Sequence, residues 1–495
     1  AIPAAALAYL VWQRRAVEDL RSLFERNGGK TRKMLAGVGI IFVFEKAVGR
    51  ALQRRGSKLP PSLISMIAAF ILLKVYEKAK GKEKADRLAG FFSPAVDHLG
   101  KWMPLYLTPP LVVLPDALAT VKAGGGDGVE GECRMWAKLG GIHCGGWLFT
   151  LLTTAAMARW IQQRAARTAA AAAAAAKDGA LTAASSSSSS AVAATAGAGE
   201  GAATAGAGEV AATAVTAAAC CVSGREVAVR MRQAWAVLTA ASYLALPVAG
   251  SKPATFSTTV LALLYGNALP PTAKKVLHPL VVCSLATGVI AAALGRLEGR
   301  ATSEALSAYF SKRGMLRGGA GDLFFGLLGS SCCALGFRMF ANRRSLQENL
   351  LPLAASTAVS SMLSLFGTAA AAGAAGLPPI VALTLAQRSV MSSLGIPAAQ
   401  LLGGDAALAV ASILVTGVYG ASVGQAVLDG IGCCTDEPVV RGIATGASAH
   451  SIGTASLMES EPEAAAIASV ALCLAGVFHT AVCSVPVAQS TLKRL

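Results

Sequence analysis

Charge, aromatic rings and histidine are all scarce in this sequence. Only 14% of its 495 residues are charged and 6% are aromatic, and there are 5 histidines. Soluble domains usually carry about 25% charged residues, so this composition excludes an ordinary soluble fold. The 54% of hydrophobic residues and a mean hydropathy of +0.55 indicate instead a polytopic membrane protein.

Acidic residues are few as well. The chain has 27 Asp and Glu against 44 Lys and Arg, which gives a net charge of +17. Basic residues cluster at 14–33 and 74–87, with a smaller group at 50–58 between them. Because these clusters flank hydrophobic runs, they are better interpreted as topology determinants than as a nucleic-acid surface. The bias predicts that the N-terminal side faces the cytoplasm-equivalent compartment, which in a plastid is the stroma, and it predicts no nucleic-acid partner.

The patterns typical of disulfide scaffolds and metal sites are missing. Cysteine doublets occur at 220–221, 332–333 and 433–434, but no C-x-x-C pair does, so we expect buried or interfacial thiols. There is no H-E-x-x-H motif, and we predict no catalytic residues, no cofactor and no enzyme activity. Four histidines lack a second ligand type nearby and are expected to be structural, with no metal: His98, His143, His278 and His479.

Hydrophobic runs of near-spanning length recur along the chain. A spanning helix needs about 18 or more such residues. The runs lie at 34–52, 59–77, 102–121, 139–160, 232–249, 254–270, 276–296, 319–340, 349–376, 378–402, 405–429 and 462–488. They predict an all-α polytopic membrane protein with about 12 transmembrane helices in two modules.

Composition divides the chain into four parts. Residues 1–33 form a basic amphipathic segment, in which residues 12–33 can form a helix on the membrane surface. Residues 34–162 contain the first module. Residues 163–231 are rich in Ala, Ser and Gly, with AATAGAGE repeated at 193–200 and 202–209, and predict a flexible linker whose alanine-rich parts are transiently helical. Residues 232–495 contain the second module.

A polar, glycine-rich segment interrupts the hydrophobic pattern near the C-terminus. Residues 442–457, GIATGASAHSIGTASL, surround His450 with small and hydroxylated residues. Irregular backbone cannot face lipid, because each unpaired N–H or C=O costs several kcal/mol there. We therefore expect this segment to line a cavity or to pack against protein.

A second interruption carries an arginine. Residues 386–397, AQRSVMSSLGIP, place Arg388 among serines, and helical character is expected to end at Gly395 and Pro397. Two interrupted segments in one bundle predict a transporter site near the midplane of the membrane. Half-helix N-termini at such a site favour an anion, so a carboxylate is the expected ligand.

At these motifs the chain resembles a known family of membrane proteins. The LrgB/CidB family is indicated for residues 232–495 by GAGDLFFGLLGSS (319–331), GDAALAVASILVTGVYGA (404–421) and GIATGASAHSIGTASLMESEPEA (442–464). The LrgA/CidA family is indicated for residues 34–160 by LPPSLISMIAAFILL (59–73) and KWMPLYLTPPLVVLP (101–115). A fusion of both is similar to the plastidal glycolate/glycerate translocator family of plants and algae.

This resemblance implies a function. It implies a multi-pass protein of the chloroplast inner envelope membrane that exports glycolate and imports glycerate in photorespiration. Its partners would be glycolate, glycerate, protons and membrane lipid, and we expect a homo-oligomer, specifically a dimer. Transport would follow alternating access, coupled to protons or by exchange. A holin-like pore or regulator of membrane integrity, the role suggested by the bacterial family name, stays open as the alternative.

We predict that both interrupted segments supply substrate-binding side chains. Arg388 could bind a carboxylate through its planar fork, or it could instead be an interfacial arginine that reaches out of a span. His450 has a reference pKa of about 6.5, which suits proton coupling, although a purely structural hydrogen-bonding role is the alternative. The hydroxyls could bind the substrate or their own backbone. The predicted substrate-binding residues are Arg388, Ser389, Ser392, Ser393, Thr445, Ser448, His450, Ser451, Gly453 and Thr454.

Overall fold

The computed structural model describes residues 28–57, 59–115, 117–118, 129–185, 207–270, 273–274, 277–315 and 317–495. Within these ranges all regular structure is helical, as predicted. Residues 1–27 of the predicted amphipathic segment and most of the octet repeats lie outside the described residues.

The N-terminal part of the described chain forms helices α1 to α5. They are α1 (Gly28–Arg54), α2 (Pro61–Lys80), α3 (Lys82–Lys101), α4 (Met103–Val112) and α5 (Val129–Ser185). Pro61 occupies the first position of α2, where the missing N–H of proline costs no helical hydrogen bond. Gly81, with a φ of 88°, separates α2 from α3. The turn at Gly81 thus uses a backbone conformation that glycine adopts without steric cost.

The C-terminal part forms helices α6 to α20. The first of these are α6 (Ala207–Leu244), α7 (Leu246–Ala249), α8 (Ser251–Gly266), α9 (Pro279–Leu297), α10 (Thr302–Tyr309), α11 (Ala320–Phe325) and α12 (Leu328–Ala341). The others are α13 (Arg343–Glu348), α14 (Leu350–Ala374), α15 (Pro379–Leu385), α16 (Ser392–Leu402), α17 (Ala406–Gly430), α18 (Pro438–Ser460), α19 (Pro462–Cys483) and α20 (Pro486–Leu492).

Five of these segments are long and apolar enough to cross a membrane. They are Pro279–Leu297, Ala320–Ala341, Leu350–Ala374, Ala406–Gly430 and Pro462–Cys483. Each coincides with a predicted hydrophobic run, so the chain is a polytopic membrane protein. Helix α1 is not among them, because every stretch of spanning length within it contains at least three charged residues, among them Glu45 or Lys46. The total of about 12 spans stays a prediction.

The hydrophobic core contains residues from both halves of the sequence. Buried Ile41 and Leu99 belong to the same cluster as Leu263, Cys333 and Val410. Burial of side chains from both halves in one cluster keeps the halves together, because separating them would expose apolar surface of this cluster. The N-terminal helices therefore pack against the C-terminal ones in one core.

The chain divides into two compact units. One comprises Ala1–Arg159 and Trp235–Leu495, and the other comprises Trp160–Ala234, which includes the end of α5 and the start of α6. The predicted boundaries of the modules 34–162 and 232–495, and the flexibility predicted for 163–231, stay predictions.

Candidate functional site

The segment that carries Arg388 divides a spanning-length apolar run into two short helices. α15 and α16 are separated by residues 386–391, which are not helical. Pro379 starts α15 from its first position, where proline is tolerated. The prediction that helical character ends at Gly395 and Pro397 is wrong, because both lie inside α16. Pro397 has no N–H to donate to the carbonyl of Ser393, four residues earlier, so α16 lacks one helical hydrogen bond near its start.

Arg388 is almost completely buried. Its side chain donates from Nε to Thr368 Oγ1 on α14 at 3.1 Å and from Nη2 to Thr150 Oγ1 on α5 at 3.0 Å. Nη1 has no hydrogen-bond partner, and no carboxylate of the described residues forms an ion pair with this guanidinium. The residue is only 1% exposed, which excludes the alternative of an arginine that reaches out of a span. A buried cation without a counter-ion is costly, and a bound anion would relieve that cost.

A glycine on α5 makes room for this guanidinium. A Cβ at Gly146 would lie 2.8 Å from Nη2, 2.9 Å from Cζ and 3.0 Å from Nε of Arg388. The similar distances indicate that the flat guanidinium lies against the backbone of Gly146. One turn later, Thr150 donates its hydroxyl to the carbonyl of Gly146 at 2.7 Å, which leaves its oxygen free to accept from Arg388. Both residues were missed in the sequence, where a Gly-Gly pair followed by threonines inside a hydrophobic run was the available signal.

The serines that follow Arg388 have different surroundings. Ser389 is buried, and its Oγ lies 2.6 Å from Ser364 Oγ on α14. Ser392 is half-buried at the start of α16. Ser393 is buried, and its hydroxyl has no hydrogen-bond partner. Ser393 is therefore the serine of this group with a buried and unused hydroxyl.

The second interrupted helix is α18, and its break is at His450. This residue has φ 43° and ψ −138°, whereas the residues on both sides of it are helical. Positive φ at a residue with a side chain costs about 1–3 kcal/mol and often marks a functional position. The segment 442–457 is thus more regular than predicted, with one break.

The ring of His450 is buried, and only one of its two nitrogens has a hydrogen-bond partner. Its Nε2 lies 2.8 Å from the carbonyl oxygen of Ile413 on α17, so Nε2 must carry the hydrogen and donate. Its Nδ1 has no partner. A neutral histidine in this arrangement presents one unused acceptor nitrogen inside the protein. Among the described residues, no hydrogen bond joins His450 to Arg388.

The other predicted substrate-binding residues of α18 differ in their burial and in the hydrogen bonds of their hydroxyls. Thr445 is buried and its hydroxyl has no partner. Ser448 and Thr454 donate their hydroxyls to the carbonyls of Ala444 and His450, both at 2.7 Å, within their own helix. Ser451 is exposed. Thr445 therefore keeps an unused hydroxyl, whereas those of Ser448 and Thr454 already donate to backbone.

The glycines of this segment serve helix packing. A Cβ at Gly442 would lie 2.5 Å from the carbonyl oxygen of Ala464 on α19, and one at Gly446 would meet the backbone of Ala468. This small-xxx-small spacing lets α18 and α19 approach closely. Gly453 is likewise packed, because a Cβ there would meet the side chain of Ala449. The glycines thus explain close packing more directly than substrate contact.

A buried arginine holds the beginning of α18. Arg441 donates to Glu461 at 2.6 Å and 2.5 Å, to Asp429 at 2.6 Å and to the carbonyl of Cys433 at 2.6 Å. These partners lie at the ends of α17, α18 and α19 and in the loop between α17 and α18. Unlike Arg388, Arg441 is fully paired, so its role is to connect helix ends. Glu461, between α18 and α19, is one of the residues that it connects.

Residues 420–424 of α17 match the sequence pattern G-x-S-x-G of nucleophilic serines, but they do not have the backbone geometry that this motif requires. Residues 420–424 lie inside an uninterrupted helix, and Ser422 is exposed. A nucleophilic serine of this motif requires a sharp turn between a strand and a helix. Gly420 has a packing role instead, because a Cβ there would meet the side chain of Ala449. These residues therefore carry no catalytic function.

Comparisons with known proteins identify relatives. Residues 259–488 match the LrgB-like family. The chain is 28% identical over 472 residues to plastidal glycolate/glycerate translocator 1, chloroplastic, of Arabidopsis thaliana, covering 95% of this chain and 82% of that protein.

Bacterial relatives match a shorter part of the chain. Holin-like protein CidB of Staphylococcus aureus is 27% identical over 154 residues, which are 31% of this chain and 66% of that protein. An uncharacterized protein of Haemophilus influenzae is 26% identical over 154 residues, again 31% of this chain and 66% of that protein. The match therefore spans just under two thirds of these bacterial proteins. No solved structure matches. The LrgA/CidA-like character of residues 34–162 stays a prediction.

Proposed function

We propose that this homologue of plastidal glycolate/glycerate translocator 1, with its LrgB-like C-terminal half, is a secondary transporter of small 2-hydroxycarboxylates. It exports glycolate from the chloroplast and imports glycerate in photorespiration. It works in the inner envelope membrane by alternating access, with proton coupling or by exchange, and as a homodimer. The homology to a glycolate/glycerate translocator supports the substrate class.

Arg388 is the observation that carries this proposal. Its guanidinium is buried, is held by two hydroxyls, and keeps Nη1 without a partner. A carboxylate that bound there would supply the missing negative charge and accept from the free N–H, which is the strongest type of hydrogen bond available to arginine. The two threonine hydroxyls fix the orientation of the guanidinium, but they are neutral and leave its positive charge uncompensated.

The substrate hydroxyl requires donors and acceptors next to the carboxylate site. Ser389 and Ser364 lie beside Arg388 with their hydroxyls 2.6 Å apart, and either can rotate toward a ligand. Ser393, in the first turn of α16, has a free hydroxyl. We propose that these serines bind the 2-hydroxyl group that glycolate and glycerate share.

His450 is the proposed proton carrier. Because Nε2 donates to the carbonyl of Ile413, a proton can be taken up at Nδ1, which has no partner. The strained backbone of His450 places this nitrogen at the break in α18. Protonation there would add a positive charge within the bundle when an anion is bound, so that proton and anion move together.

A holin-like pore is the second candidate, and the relationship to holin-like protein CidB favours it. A pore predicts flux that does not saturate and that is not selective for one anion. A buried, uncompensated Arg388 fits a binding site better than a wide aqueous passage, because water would solvate the guanidinium in a pore.

Uptake of labelled glycolate into proteoliposomes preloaded with glycerate tests the proposal. We expect saturable uptake that internal glycerate stimulates. In Arg388→Gln, we expect the initial rate of glycolate uptake to fall at least tenfold. Arg344→Gln is the matched control, because Arg344 is exposed and pairs only with Glu348 one turn away. Non-saturable flux of unrelated solutes, equal in all three proteins, would exclude the carrier and support the pore.

A further inference from the structure

One face of α5 is a continuous polar stripe. His143, Gly146, Trp147, Thr150 and Thr154 follow one another at helical spacing, so they lie on the same side of the helix. The four with side chains are buried. Other positions of the same helix, such as Phe149 and Trp160, are exposed and large. Buried apolar residues such as Leu151 and Ala155 flank the stripe. The buried side of α5 therefore presents a row of polar groups between apolar ones, which is the arrangement expected of a wall around a polar pathway in a membrane.

The stripe contacts the C-terminal half of the chain at three levels. At one end, His143 Nε2 lies 2.8 Å from Ser412 Oγ on α17. In the middle, Thr150 accepts from Arg388. At the other end, Thr154 Oγ1 lies 2.8 Å from Ser360 Oγ on α14. His143, Thr150 and Thr154 thus each meet a polar partner from residues 232–495.

Trp147 adds an unpaired donor to the stripe. Its indole Nε1 is buried and has no hydrogen-bond partner. The ring packs against α17 beside Gly420 and Gly424: Cβ atoms there would lie 3.4 Å from Nε1 and 3.8 Å from Cζ2, at van der Waals distance. A buried N–H without an acceptor costs about 1–3 kcal/mol. Together with Nη1 of Arg388, the region therefore has two buried N–H donors without acceptors.

The stripe also connects the two interrupted segments. His143 contacts Ser412, and the next residue, Ile413, accepts the hydrogen bond from His450. Arg388 contacts Gly146 and Thr150, one and two turns further along α5. Arg388 and His450 are not hydrogen-bonded to each other. They are connected indirectly, because Arg388 contacts the stripe on α5 and His450 contacts the residue of α17 next to Ser412.

We propose that α5 forms one wall of the carboxylate pathway and that Gly146, Trp147 and Thr150 complete the substrate site. This inference rests on the proposed function and extends the site beyond the LrgB-like residues. Thr150 and Gly146 position the guanidinium of Arg388, and Trp147 donates from Nε1 to the bound carboxylate. This helix of the first module is then a part of the transport machinery.

Two adjacent pairs of positions provide matched controls. Thr150→Val removes the hydroxyl that accepts from Arg388, whereas Thr153→Val removes one that bonds only to its own helix. Gly146→Ala places a Cβ against the guanidinium, whereas Gly145→Ala places one where nothing lies within 4 Å. We expect the KM for glycolate to rise about tenfold in Thr150→Val and Gly146→Ala and to be unchanged in both controls. Thr150→Ser keeps the hydroxyl and should restore the KM.

Thermal unfolding of the purified proteins separates a binding role from a structural one. Glycolate should raise the Tm of the unmodified chain, Thr153→Val and Gly145→Ala. In Trp147→Phe, we expect the Tm without glycolate to stay close to that of the unmodified chain and the glycolate-induced rise to be lost. In Thr150→Val and Gly146→Ala, we expect a lower Tm without glycolate, because a buried hydrogen bond is lost or a Cβ crowds the guanidinium, and again no glycolate-induced rise. Trp147→Phe keeps the ring and removes only the N–H donor.

The outcomes distinguish this inference from the proposed function. If the unmodified chain transports glycolate saturably and all α5 variants keep its KM and the glycolate-induced rise in Tm, α5 is not a wall of the substrate pathway. The proposed carrier function is then unaffected. If the variants lower the Tm without glycolate but keep the KM, α5 is only structural and the inference fails. If the unmodified chain shows no saturable uptake, the proposed function itself fails.

Discussion

His479 Nε2 lies 2.9 Å from Oε1 of Gln387, the residue directly before Arg388. Both side chains are fully buried, and Gln387 also donates to the carbonyl of Leu383 at 3.3 Å. The amide is therefore held at both ends, by α15 and by α19. This contact anchors the non-helical segment that presents Arg388, and it gives a role to a histidine that looked isolated in the sequence.

Replacing His479 should loosen this anchor. In His479→Ala the carboxamide oxygen of Gln387 loses its imidazole donor in a buried site and keeps only the weak donor Cys483 Sγ at 3.9 Å, which costs about 1–3 kcal/mol. We expect lower stability in detergent and a raised KM for glycolate, because Arg388 is less well positioned. His98→Ala is the control, because His98 lies on α3 and does not contact this segment. An unchanged KM in His479→Ala would show that Gln387 does not orient Arg388.

Replacing His450 should separate proton coupling from exchange. Gln at position 450 can still donate to the carbonyl of Ile413 but cannot take up a proton. We therefore expect His450→Gln to exchange glycolate for glycerate at equal pH on both sides, but to lose the stimulation of uptake by an imposed pH gradient. The measurement is the ratio of initial uptake rates with and without the gradient. A ratio equal to that of the unmodified protein would assign proton coupling elsewhere.

Adding a methyl group at Gly417 should disturb His450. A Cβ there would lie 2.6 Å from Cε1 of His450 and 2.8 Å from Cδ1 of Ile452, too close without a shift of α18. Overpacking of this kind costs about 1–3 kcal/mol. We expect Gly417→Ala to lower the Tm and the transport rate, and Gly367→Ala, with nothing within 4 Å of its Cβ, to change neither. Equal transport by both variants would mean that the position of His450 is not critical.

Removing Arg441 should destabilise the protein more than removing an exposed arginine. Arg441→Ala leaves Glu461, which is largely buried, without its cation, and breaking a buried pair from one side costs about 3 kcal/mol. Arg344→Ala removes an exposed pair and should cost less than about 1 kcal/mol. Chemical unfolding in detergent measures both free energies. A difference below about 1 kcal/mol would show that water compensates the loss at position 441.

The break around Arg388 was predictable, but its position was not. Proline and glycine at 395–397 predicted the end of a helix, and yet both lie within α16 while the preceding residues 386–391 are non-helical. Local propensity was overridden by burial, because Arg388, Ser389 and Gln387 all form side-chain hydrogen bonds with other helices. Contacts of that kind are invisible in a single sequence.

The glycines of α18 could indicate either an irregular backbone or close helix packing, and the structure shows which applies. Gly442 and Gly446 indicated irregular backbone, but their backbone is helical and their missing side chains admit α19. The one non-helical residue is His450, which is not a glycine. A glycine can serve either conformational freedom or close packing, and only the neighbours of each Cα decide between them.

Composition and hydropathy alone determined that this is a multi-pass, all-helical membrane protein, because the cost of burying backbone and charge in lipid leaves few other folds for such a sequence. The two polar segments with Arg388 and His450 were also evident from sequence, since polar residues in apolar runs stand out. Tertiary structure decided that Arg388 is buried and unpaired, and that α5 lies against it. Thr150 and Arg388 are 238 positions apart in the chain. Helical periodicity reports only which face of a helix is polar, so the partner of that face is set by packing between distant segments.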